Sequence, residues 1–155
     1  MTTADARQVA EQLKTAFENG PESAQTVLRG LYGDTLELRH VPPLPSDGTV
    51  DGERMRQASG QEAAAVKRAI PDQRYDEVEV VVDGSRVHLK AWIQGTLTTG
   101  TSVRMLSEMW CTVSEGRIVA VEHLMDDDAL AGWVEVAAAA GLTVPERFLG
   151  EVAPE

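Results

Sequence analysis

Apolar residues recur at helical spacing near the start of the chain and predict two consecutive amphipathic helices. The first helix ends at Asn19-Gly20-Pro21, and the second, shorter helix is closed by Gly33-Asp34. The apolar positions are Ala6, Val9, Ala10, Leu13, Ala16 and Phe17 in the first helix and Ala24, Val27, Leu28 and Leu31 in the second. Each helix therefore offers one apolar stripe to a shared core.

Alternation of apolar and polar residues, which is typical of half-buried strands, dominates the later part of the chain. The alternation predicts five strands, over residues 35–41, 77–83, 86–97, 103–113 and 117–125. The last three follow one another through short turns and are expected to form an antiparallel meander. Asp126-Asp127-Asp128 then begin a final helix that ends near Gly141.

Residues 42–58, after the first strand, are rich in Pro, Gly and Asp and predict a long irregular loop. Ser59 and Glu62 form a capping-box pattern, which predicts that a helix begins there and runs to Ile70. A loop of this length inside a domain is often functional, so 42–58 is a candidate lid.

The length of 155 residues is enough for one domain with a substantial core and too short for two. Helices followed by a run of strands indicate the α+β class. We expect a single domain over residues 1–142 and a loosely attached C-terminal tail over 143–155. Hydrophobic residues make up 43% of the chain, which is too many for a disordered protein.

The formal net charge of −11 at pH 7 argues against sequence-independent nucleic-acid binding, because phosphates would meet a repulsive field. It also disfavours an anionic membrane surface, and no apolar run reaches the length of a membrane span. The N-terminus lacks the basic start and apolar block of a secretory signal. Cys111 is the only cysteine, so no intrachain disulfide can form. We expect a soluble cytoplasmic protein without nucleic-acid or membrane partners.

Two turns of the meander predict how its strands pair. A two-residue turn at Glu115-Gly116 places Glu108 opposite His123, and a turn at Thr99-Gly100 places Glu108 opposite Ala91. Both registers put Glu108 on one apolar sheet face, together with Val87, Leu89, Ala91, Ile93, Trp110, Val121 and Met125. Directly opposed Cβ atoms lie about 5 Å apart, so the carboxylate and the imidazole are predicted to touch.

The same registers leave a second apolar face on the other side of the sheet. Its predicted members are Trp92, Val103, Met105, Met109, Cys111, Val113, Ile118, Ala120 and Leu124, with His88 and Lys90 among them. One face must cover the helices, and the other is too apolar to remain bare in water. This predicts a homodimer through the outer sheet face.

The order of these elements resembles the nuclear transport factor 2-like superfamily, in particular its SnoaL-like and ketosteroid-isomerase-like branch. The likeness extends over residues 5–133 and is carried by the order of patterns rather than by one motif. The segments that carry it are FENG-P at 17–21, LYGDTLELRH at 31–40 and SEGRIVAVEHLMD at 114–126. The resemblance implies a cone-shaped, curved antiparallel sheet that packs on the N-terminal helices and encloses a small-molecule pocket. It also implies frequent dimers.

The resemblance assigns roles to three polar residues. His40 stands where ketosteroid isomerases keep their catalytic Asp base, and Glu108 stands where they keep the Asp that hydrogen-bonds the oxyanion. His123 matches an inward polar position of the SnoaL-like cyclases. Leu13 replaces the tyrosine that those isomerases use in the first helix, which puts steroid isomerisation itself in doubt.

His40, Glu108 and His123 are therefore the predicted catalytic residues, because imidazoles and a coupled buried carboxylate can move protons near neutral pH. The predicted substrate-binding residues are Leu38, Leu89, Ala91, Leu106, Trp110, Val121 and Met125. The alternatives are a structural Glu108–His123 ion pair, a packing role for His40 and an ordinary core role for the apolar set.

Other kinds of site are disfavoured. His88 is predicted on the opposite face from His40 and His123, so a three-histidine zinc site is not expected. The three aspartates at 126–128 are better explained by helix capping than by a cation. Cys111 among apolar residues looks inert, and no glycine-rich phosphate loop is present.

We expect cofactor-independent acid/base chemistry of the isomerase, cyclase, dehydratase or hydrolase type on a small, mostly apolar molecule. The alternative function is a non-catalytic binding or dimeric association module of the same fold.

Overall fold

The computed structural model describes residues 3–141, and within them the chain forms four helices and six strands. The helices are α1 (Thr3–Glu18), α2 (Pro21–Leu31), α3 (Gly52–Ala69) and α4 (Asp127–Ala140). The strands are β1 (Tyr32–Val41), β2 (Gly48–Asp51), β3 (Arg74–Asp83), β4 (Arg86–Thr96), β5 (Ser102–Ser114) and β6 (Arg117–Leu124). The tail predicted at 143–155 lies outside the described residues.

The two predicted N-terminal helices are confirmed. Gly20, at φ +112°, separates them, and Pro21 occupies the first turn of α2, where its missing N–H costs nothing. The inward stripe of α1 is fully buried, at Ala6, Val9, Ala10, Leu13, Ala16 and Phe17. This stripe packs mainly against the concave side of the sheet formed by β3, β4 and β5.

A curved, unclosed sheet of six strands has the order β2-β1-β6-β5-β4-β3. The N-terminal helices pack on this sheet, as the predicted α+β class requires. The prediction of a wholly antiparallel sheet needs one correction, because β1 and β6 pair in parallel while every other neighbouring pair is antiparallel. The chain leaves β1 through β2 and α3, starts again at the far edge with β3, and returns strand by strand until β6 lies beside β1.

The long irregular loop predicted over residues 42–58 is mostly regular structure. Residues 48–51 form β2, and α3 begins at Gly52, seven residues before the predicted start. Asp51 caps α3, since its side chain accepts a hydrogen bond from the backbone N–H of Arg54 at 3.0 Å. The apparent capping box at Ser59 and Glu62 therefore lies in the middle of a helix.

The predicted pairing of β5 with its neighbours is wrong by one residue on both sides. Glu108 lies opposite Lys90 and Leu124, and Met109 is the residue opposite His123. The first slip comes from the β4–β5 turn, which contains three residues between Leu97 and Thr101 instead of two. Because the side-chain period of a strand is two, this slip turns every residue of β5 to the other face.

The second slip has a different cause. The Glu115-Gly116 turn forms as predicted, and Ser114 pairs with Arg117. A bulge follows, because Val113 pairs with Ile118 whereas Thr112 pairs with Ala120, which leaves one extra residue in β6. The two predicted registers agreed with each other because each is wrong by one residue, and a slip of one residue in either direction moves Glu108 to the other face.

The correct register places the apolar residues of β5 on the concave face, against the helices. These residues are Val103, Met105, Met109, Cys111 and Val113, all buried. The convex face instead carries charged and aromatic side chains, among them His88, Lys90, Trp92, Arg104, Glu108, Trp110 and Glu122. The apolar convex face that motivated the predicted homodimer is therefore absent from the described part of the chain, and the homodimer stays a prediction.

Buried residues of the concave side form two clusters. The larger cluster joins α1 and α2 to the central strands and contains Leu13, Leu36, Leu89, Met109 and Val121. The smaller cluster joins the end of α3 and α4 to the ends of β4 and β5, and contains Val66, Ile70, Ile93 and Met105. Tyr75 packs against both clusters.

Candidate functional site

Polar side chains interrupt the concave face between the two hydrophobic clusters. On β5, Ser107 lies between Met105 of the smaller cluster and Met109 of the larger one. On the neighbouring strands, His40 of β1 and His123 of β6 are paired in register. A polar strip between two apolar clusters is where the concave face can accept a ligand with both polar and apolar parts.

His40 is held by a carboxylate from the connection between β1 and β2. The Nδ1 atom of His40 lies 2.6 Å from Oδ1 of Asp47. Oδ2 of Asp47 accepts hydrogen bonds from the backbone N–H groups of His40, at 2.9 Å, and Leu44, at 3.1 Å. The same carboxylate thus fixes the short connection and the orientation of the imidazole.

The Asp47 carboxylate is electrostatically suited to this task. Burial acts to raise its pKa, but the hydrogen bonds from the ring and backbone of His40 and from the backbone of Leu44 lower it below its ordinary value. Asp47 is therefore ionised at neutral pH and favours a proton on Nδ1 of His40. The remaining ring nitrogen, Nε2, then carries the lone pair that could accept a proton.

His123 stacks on His40. The two imidazole centroids are 5.2 Å apart, with planes inclined by 19°. Burial and, to a smaller extent, the charge of His40 lower the pKa of His123 to about 4, and Asp47 opposes this shift. His123 is therefore a neutral imidazole at physiological pH, able to donate one hydrogen bond and accept another.

The ring nitrogens of both histidines keep accessible surface. Within residues 3–141, the only hydrogen bond made by a ring nitrogen of either histidine is the one between Nδ1 of His40 and the accepting carboxylate of Asp47. No buried side-chain nitrogen or oxygen of this part of the chain lacks a partner. It follows that the unpaired ring nitrogens reach space open to solvent, although the rings are largely enclosed by protein.

Helix α3 packs against β1, the strand that carries His40 of this strip. The Ser59 side chain lies near the Tyr32 hydroxyl and opposes the rise in the Tyr32 pKa that burial causes, so the middle of α3 lies beside the start of β1. Three residues further on, Glu62 keeps an exposed side chain, yet removal from bulk water raises its pKa, and the charge of His40 opposes this shift. The charge of Glu62 also acts to raise the pKa of Tyr75, so Glu62 lies within reach of both His40 and Tyr75. We name the concave side between Glu62, His40, His123, Ser107 and Tyr75 the inner recess.

The predicted substrate-binding residues divide between the two faces. Leu38, Leu89, Ala91 and Val121 are buried in the larger cluster on the concave side. Leu106 and Trp110 lie on the convex face, because of the register error in β5. Met125 follows β6, and its backbone N–H donates to the carbonyl of Val41 at 2.9 Å.

Glu108 does not reach His123. It lies on the convex face and forms an ion pair with His88, with 2.7 Å between Oε2 and Nε2. The ring of His88 stacks on Trp110 at 4.4 Å, and the guanidinium of Arg86 lies 4.3 Å from the Trp110 ring centroid. The predicted contact between Glu108 and His123 is wrong, because Glu108 lies on the opposite face of the sheet from His40 and His123.

The described residues contain no group of three or more His, Cys, Asp or Glu side chains arranged to hold a metal ion. His88 lies on the convex face, and His40 and His123 lie on the concave face. No helix of residues 3–141 is long and apolar enough to cross a membrane. Two surface cavities lie elsewhere: one of about 620 Å³ between α2 and α3, and one of about 160 Å³ on the convex face beside Trp92.

The chain is similar in structure to several solved proteins. A proposed polyketide cyclase from Xanthomonas campestris pv. campestris aligns with a TM-score of 0.59 and 15% identity, over 84% of this chain and 97% of that one. A proposed SnoaL-like polyketide cyclase from Jannaschia gives 0.58 and 16%, over 91% and 94%. This chain has the nuclear transport factor 2-like fold.

A third solved structure, an LEH-like epoxide hydrolase from M. tuberculosis, aligns at a TM-score of 0.52 with 16% identity, over 87% of this chain and 96% of that chain. No protein-family model matches the sequence. No curated protein matches it either. At these identities the likeness shows the fold, so the chemistry must be argued from the side chains of this chain.

The sequence predicts His40 and His123 as site residues, and the structure places Asp47, Glu62 and Tyr75, which the sequence did not indicate as site residues, close to them. Asp47 was hidden in a segment predicted to be one long loop. Glu62 was assigned to a helix cap, and Tyr75 lies before the predicted start of its strand at 77. Once α3 is known to begin at Gly52, a helical spacing argument could have found Glu62, because it shares a stripe with Met55 and Val66.

Proposed function

We propose that this chain binds a small, mostly apolar molecule in the inner recess and performs cofactor-independent acid/base chemistry on it. The observation that carries the proposal is the arrangement of His40: Asp47 holds its Nδ1 atom at 2.6 Å, and its ring stacks on the neutral His123. An oriented imidazole beside apolar walls can remove a proton from a carbon next to a carbonyl group.

His123 has a different role in this proposal. A neutral imidazole can hold a carbonyl or hydroxyl oxygen of the ligand through its N–H group without introducing a charge. Leu38, Ala91 and Val121 belong to the larger cluster nearby, and of these three Leu38 keeps the most accessible surface with which to contact the apolar body of the ligand. Asp47 is a positioning residue, since it acts on the ligand only through His40.

Isotope exchange tests this function without knowledge of the product. Purified protein in D₂O is incubated with a panel of cyclic ketones such as 2-tetralone and 2-decalone, and deuterium uptake at the carbon next to the carbonyl is followed by NMR. We expect exchange to be faster than in buffer of equal pH. His40→Gln should slow this exchange about 10²-fold or more, and Asp47→Asn should slow it less.

The control is His88→Gln, which removes an imidazole from the convex face and should exchange at the wild-type rate. Loss of exchange in this control, or full exchange in His40→Gln, would contradict the proposal. Ketones that bind without any exchange would favour the second candidate function, a non-catalytic binding module with the same fold.

We also retain the homodimer and the cytoplasmic location as proposals. The convex face offers two tryptophans, with the guanidinium of Arg104 lying 3.9 Å from the Trp92 ring centroid and that of Arg86 beside Trp110. Tryptophan and arginine are enriched at protein interfaces. Sedimentation equilibrium is the test: a dimer that Trp92→Glu dissociates supports this face, and a monomeric wild type contradicts it.

A further inference from the structure

We propose that Glu62 of α3 is the second proton-transfer group of the inner recess, and that it donates to an oxygen of an uncharged carbonyl or hydroxyl compound. This inference rests on the proposed function and deepens it by naming the class of substrate. It assigns a catalytic role to a residue that faces the concave side of the sheet from the opposite wall.

The position of Glu62 along α3 is the first argument. Met55 packs against the larger hydrophobic cluster, and Val66 belongs to the smaller one. Glu62 lies seven residues after Met55 and four before Val66, which is the spacing of one helical face. The inward face of α3 thus contacts both clusters, and Glu62 lies on this face between the residues that contact them.

The contacts of α3 with the sheet are the second argument. The side chain of Ser59, one turn before Glu62, lies beside that of Tyr32 at the beginning of β1. Gly52, at the start of α3, lies so close to β1 that an added Cβ would be 2.0 Å from the carbonyl oxygen of Gly33. Helix α3 therefore packs tightly against β1. This contact fixes the rotation of the helix and keeps the face that carries Glu62 towards the recess.

The electrostatic neighbours of Glu62 are the third argument. The charge of Glu62 acts to raise the pKa of Tyr32 on β1 and of Tyr75 on β3, and the charge of His40 on β1 acts to lower the pKa of Glu62. These two strands lie on opposite sides of the curved sheet, with β6, β5 and β4 between them. A carboxyl group can act on both sides only if it lies above the hollow of the sheet.

The local electrostatics favour the protonated form. Burial raises the pKa of Glu62, His40 is the only group that opposes the shift, and no hydrogen bond from Glu62 to another described residue is formed. A carboxylic acid kept in this state is a hydrogen-bond donor. It would attract a neutral oxygen and repel a carboxylate or phosphate once ionised.

The proton balance of a dehydration illustrates the step. Nε2 of His40 takes a proton from the carbon next to the ketone, and the electron pair of that C–H bond becomes the new C=C bond. The C–O bond to a β-hydroxyl group breaks, and the hydroxyl leaves as water with the proton of Glu62. The proton on His40 then passes to the Glu62 carboxylate, which restores both groups. For simple enolisation, Glu62 protonates the carbonyl oxygen instead.

Glu62→Gln is the decisive variant, and Glu53→Gln is its matched control. Glu53 is the other carboxylate of α3, but it is exposed and paired with Arg56 at 3.2 Å. ¹³C NMR of glutamate carboxyl carbons, assigned through the two variants, should show that Glu62 titrates at a higher pH than a free glutamate side chain. Titration at or below the free value would overturn the proposal.

Thermal stability gives a readout that needs no ligand. The raised pKa means that the folded state disfavours the ionised carboxylate, so stability is lost as pH rises through the titration of Glu62. Glu62→Gln should therefore raise Tm at pH 8 and leave it near the wild-type value at pH 4, whereas Glu53→Gln should not raise Tm at pH 8. A lower Tm for Glu62→Gln at pH 8 would indicate a structural role and overturn the proposal.

The exchange assay separates this inference from the proposed function. If His40 is the base and Glu62 the donor, Glu62→Gln should lower kcat for exchange with 2-tetralone about 10-fold or more with little change in KM, and should remove the fall in rate that accompanies its ionisation. Normal exchange in Glu62→Gln together with lost exchange in His40→Gln would overturn the role of Glu62 alone. Absent exchange in the wild type would overturn the proposed function, while the titration and Tm measurements would still decide where Glu62 lies.

Discussion

At the scale of single residues, His123 couples the candidate site to pH. Its folded-state pKa is about 4, below the value of about 6.5 for a free histidine, because burial disfavours the charged ring. Between these two values the unfolded chain binds more protons than the folded one. The contribution of His123 to stability is thus present above pH 6.5 and is lost as pH falls toward 4.

His123→Gln should therefore flatten the acid side of the stability profile. From the shift of His123, we expect the wild type to lose about 2 kcal/mol more than the variant between pH 7 and pH 5. Because the pKa of Asp47 is lowered, protonation of Asp47 also reduces the free energy of unfolding, at lower pH. The raised pKa of Glu62 has the opposite effect, so Glu62 increases the free energy of unfolding as pH falls. Urea denaturation at the two pH values measures the difference between the two chains.

His88→Gln serves as the control for this measurement, since it removes a histidine that forms an ion pair on the convex face. It should not reduce the loss of stability between pH 7 and pH 5. Equal pH dependence in the wild type and in His123→Gln would contradict the assignment of a neutral, desolvated imidazole.

The sheet face that carries each polar residue could be predicted from the sequence for some residues and not for others. The alternation of β1 and β6 placed His40 and His123 on the concave face, and both lie there. Glu108 was misplaced because strand alternation reports only relative faces, while a turn with one more residue and a bulge after Ile118 decide the absolute ones. Neither feature leaves a specific signal in the residues around it.

At the scale of elements, α3 is the helix whose predicted beginning differs most from the structure. The Pro and Gly residues near 42–52 concealed both β2 and the beginning of α3, because glycine is a weak helix former in isolation. Contact with the sheet outweighs that preference. The start of α3 lies against the turn into β1, where only a residue without a side chain fits at Gly52.

Gly52→Ala should therefore destabilise the chain although it introduces a better helix former. The new Cβ would lie 2.0 Å from the backbone oxygen of Gly33, so backbone must move, and we expect a cost of about 2 kcal/mol or more in the free energy of unfolding. Urea denaturation followed by circular dichroism measures this change.

Gly60→Ala is the matched control in the same helix. Its new Cβ would meet only the end of the flexible Arg29 side chain, at 2.6 Å. The side chain can move, and alanine favours helix by about 1 kcal/mol over glycine. A loss of stability in Gly60→Ala as large as in Gly52→Ala would show that contact with β1 is not the cause.

At the scale of the whole molecule, the order of helices and strands, apart from β2, was predictable from hydrophobic periodicity together with turn and capping signals. The four strands from β3 to β6 and the final helix, capped by Asp126 and ended by Gly141 at φ +73°, lie close to their predicted positions. The parallel pairing of β1 with β6 could not be obtained in this way. It depends on the path of the chain through space, which alternation along one strand does not encode.

Cys111 lies near the centre of this architecture and can report on its opening. It is the only cysteine of the chain, it is fully buried in the larger cluster, and burial raises its pKa to about 12. We expect its thiol to react with an aromatic disulfide reagent only when the fold opens. The labelling rate should increase with urea in step with global unfolding measured by circular dichroism.

Rapid labelling of the folded chain in buffer would contradict this position for Cys111. Labelling also offers a search for ligands. A compound that binds the folded chain should slow the reaction in proportion to its occupancy, because the reactive state is the one that cannot hold it.

The parallel pairing of β1 with β6 leaves one edge of β1 without its partner strand during synthesis. As the chain leaves the ribosome, β1 emerges long before β6, so one of its edges waits for a partner while more than seventy residues are synthesised. His40 and Asp47 are made early, but the imidazole on which His40 stacks arrives with the last strand. A truncated product that ends before β6 would thus carry half of the candidate site and an open sheet edge, and an exposed edge of this kind favours aggregation or capture by chaperones.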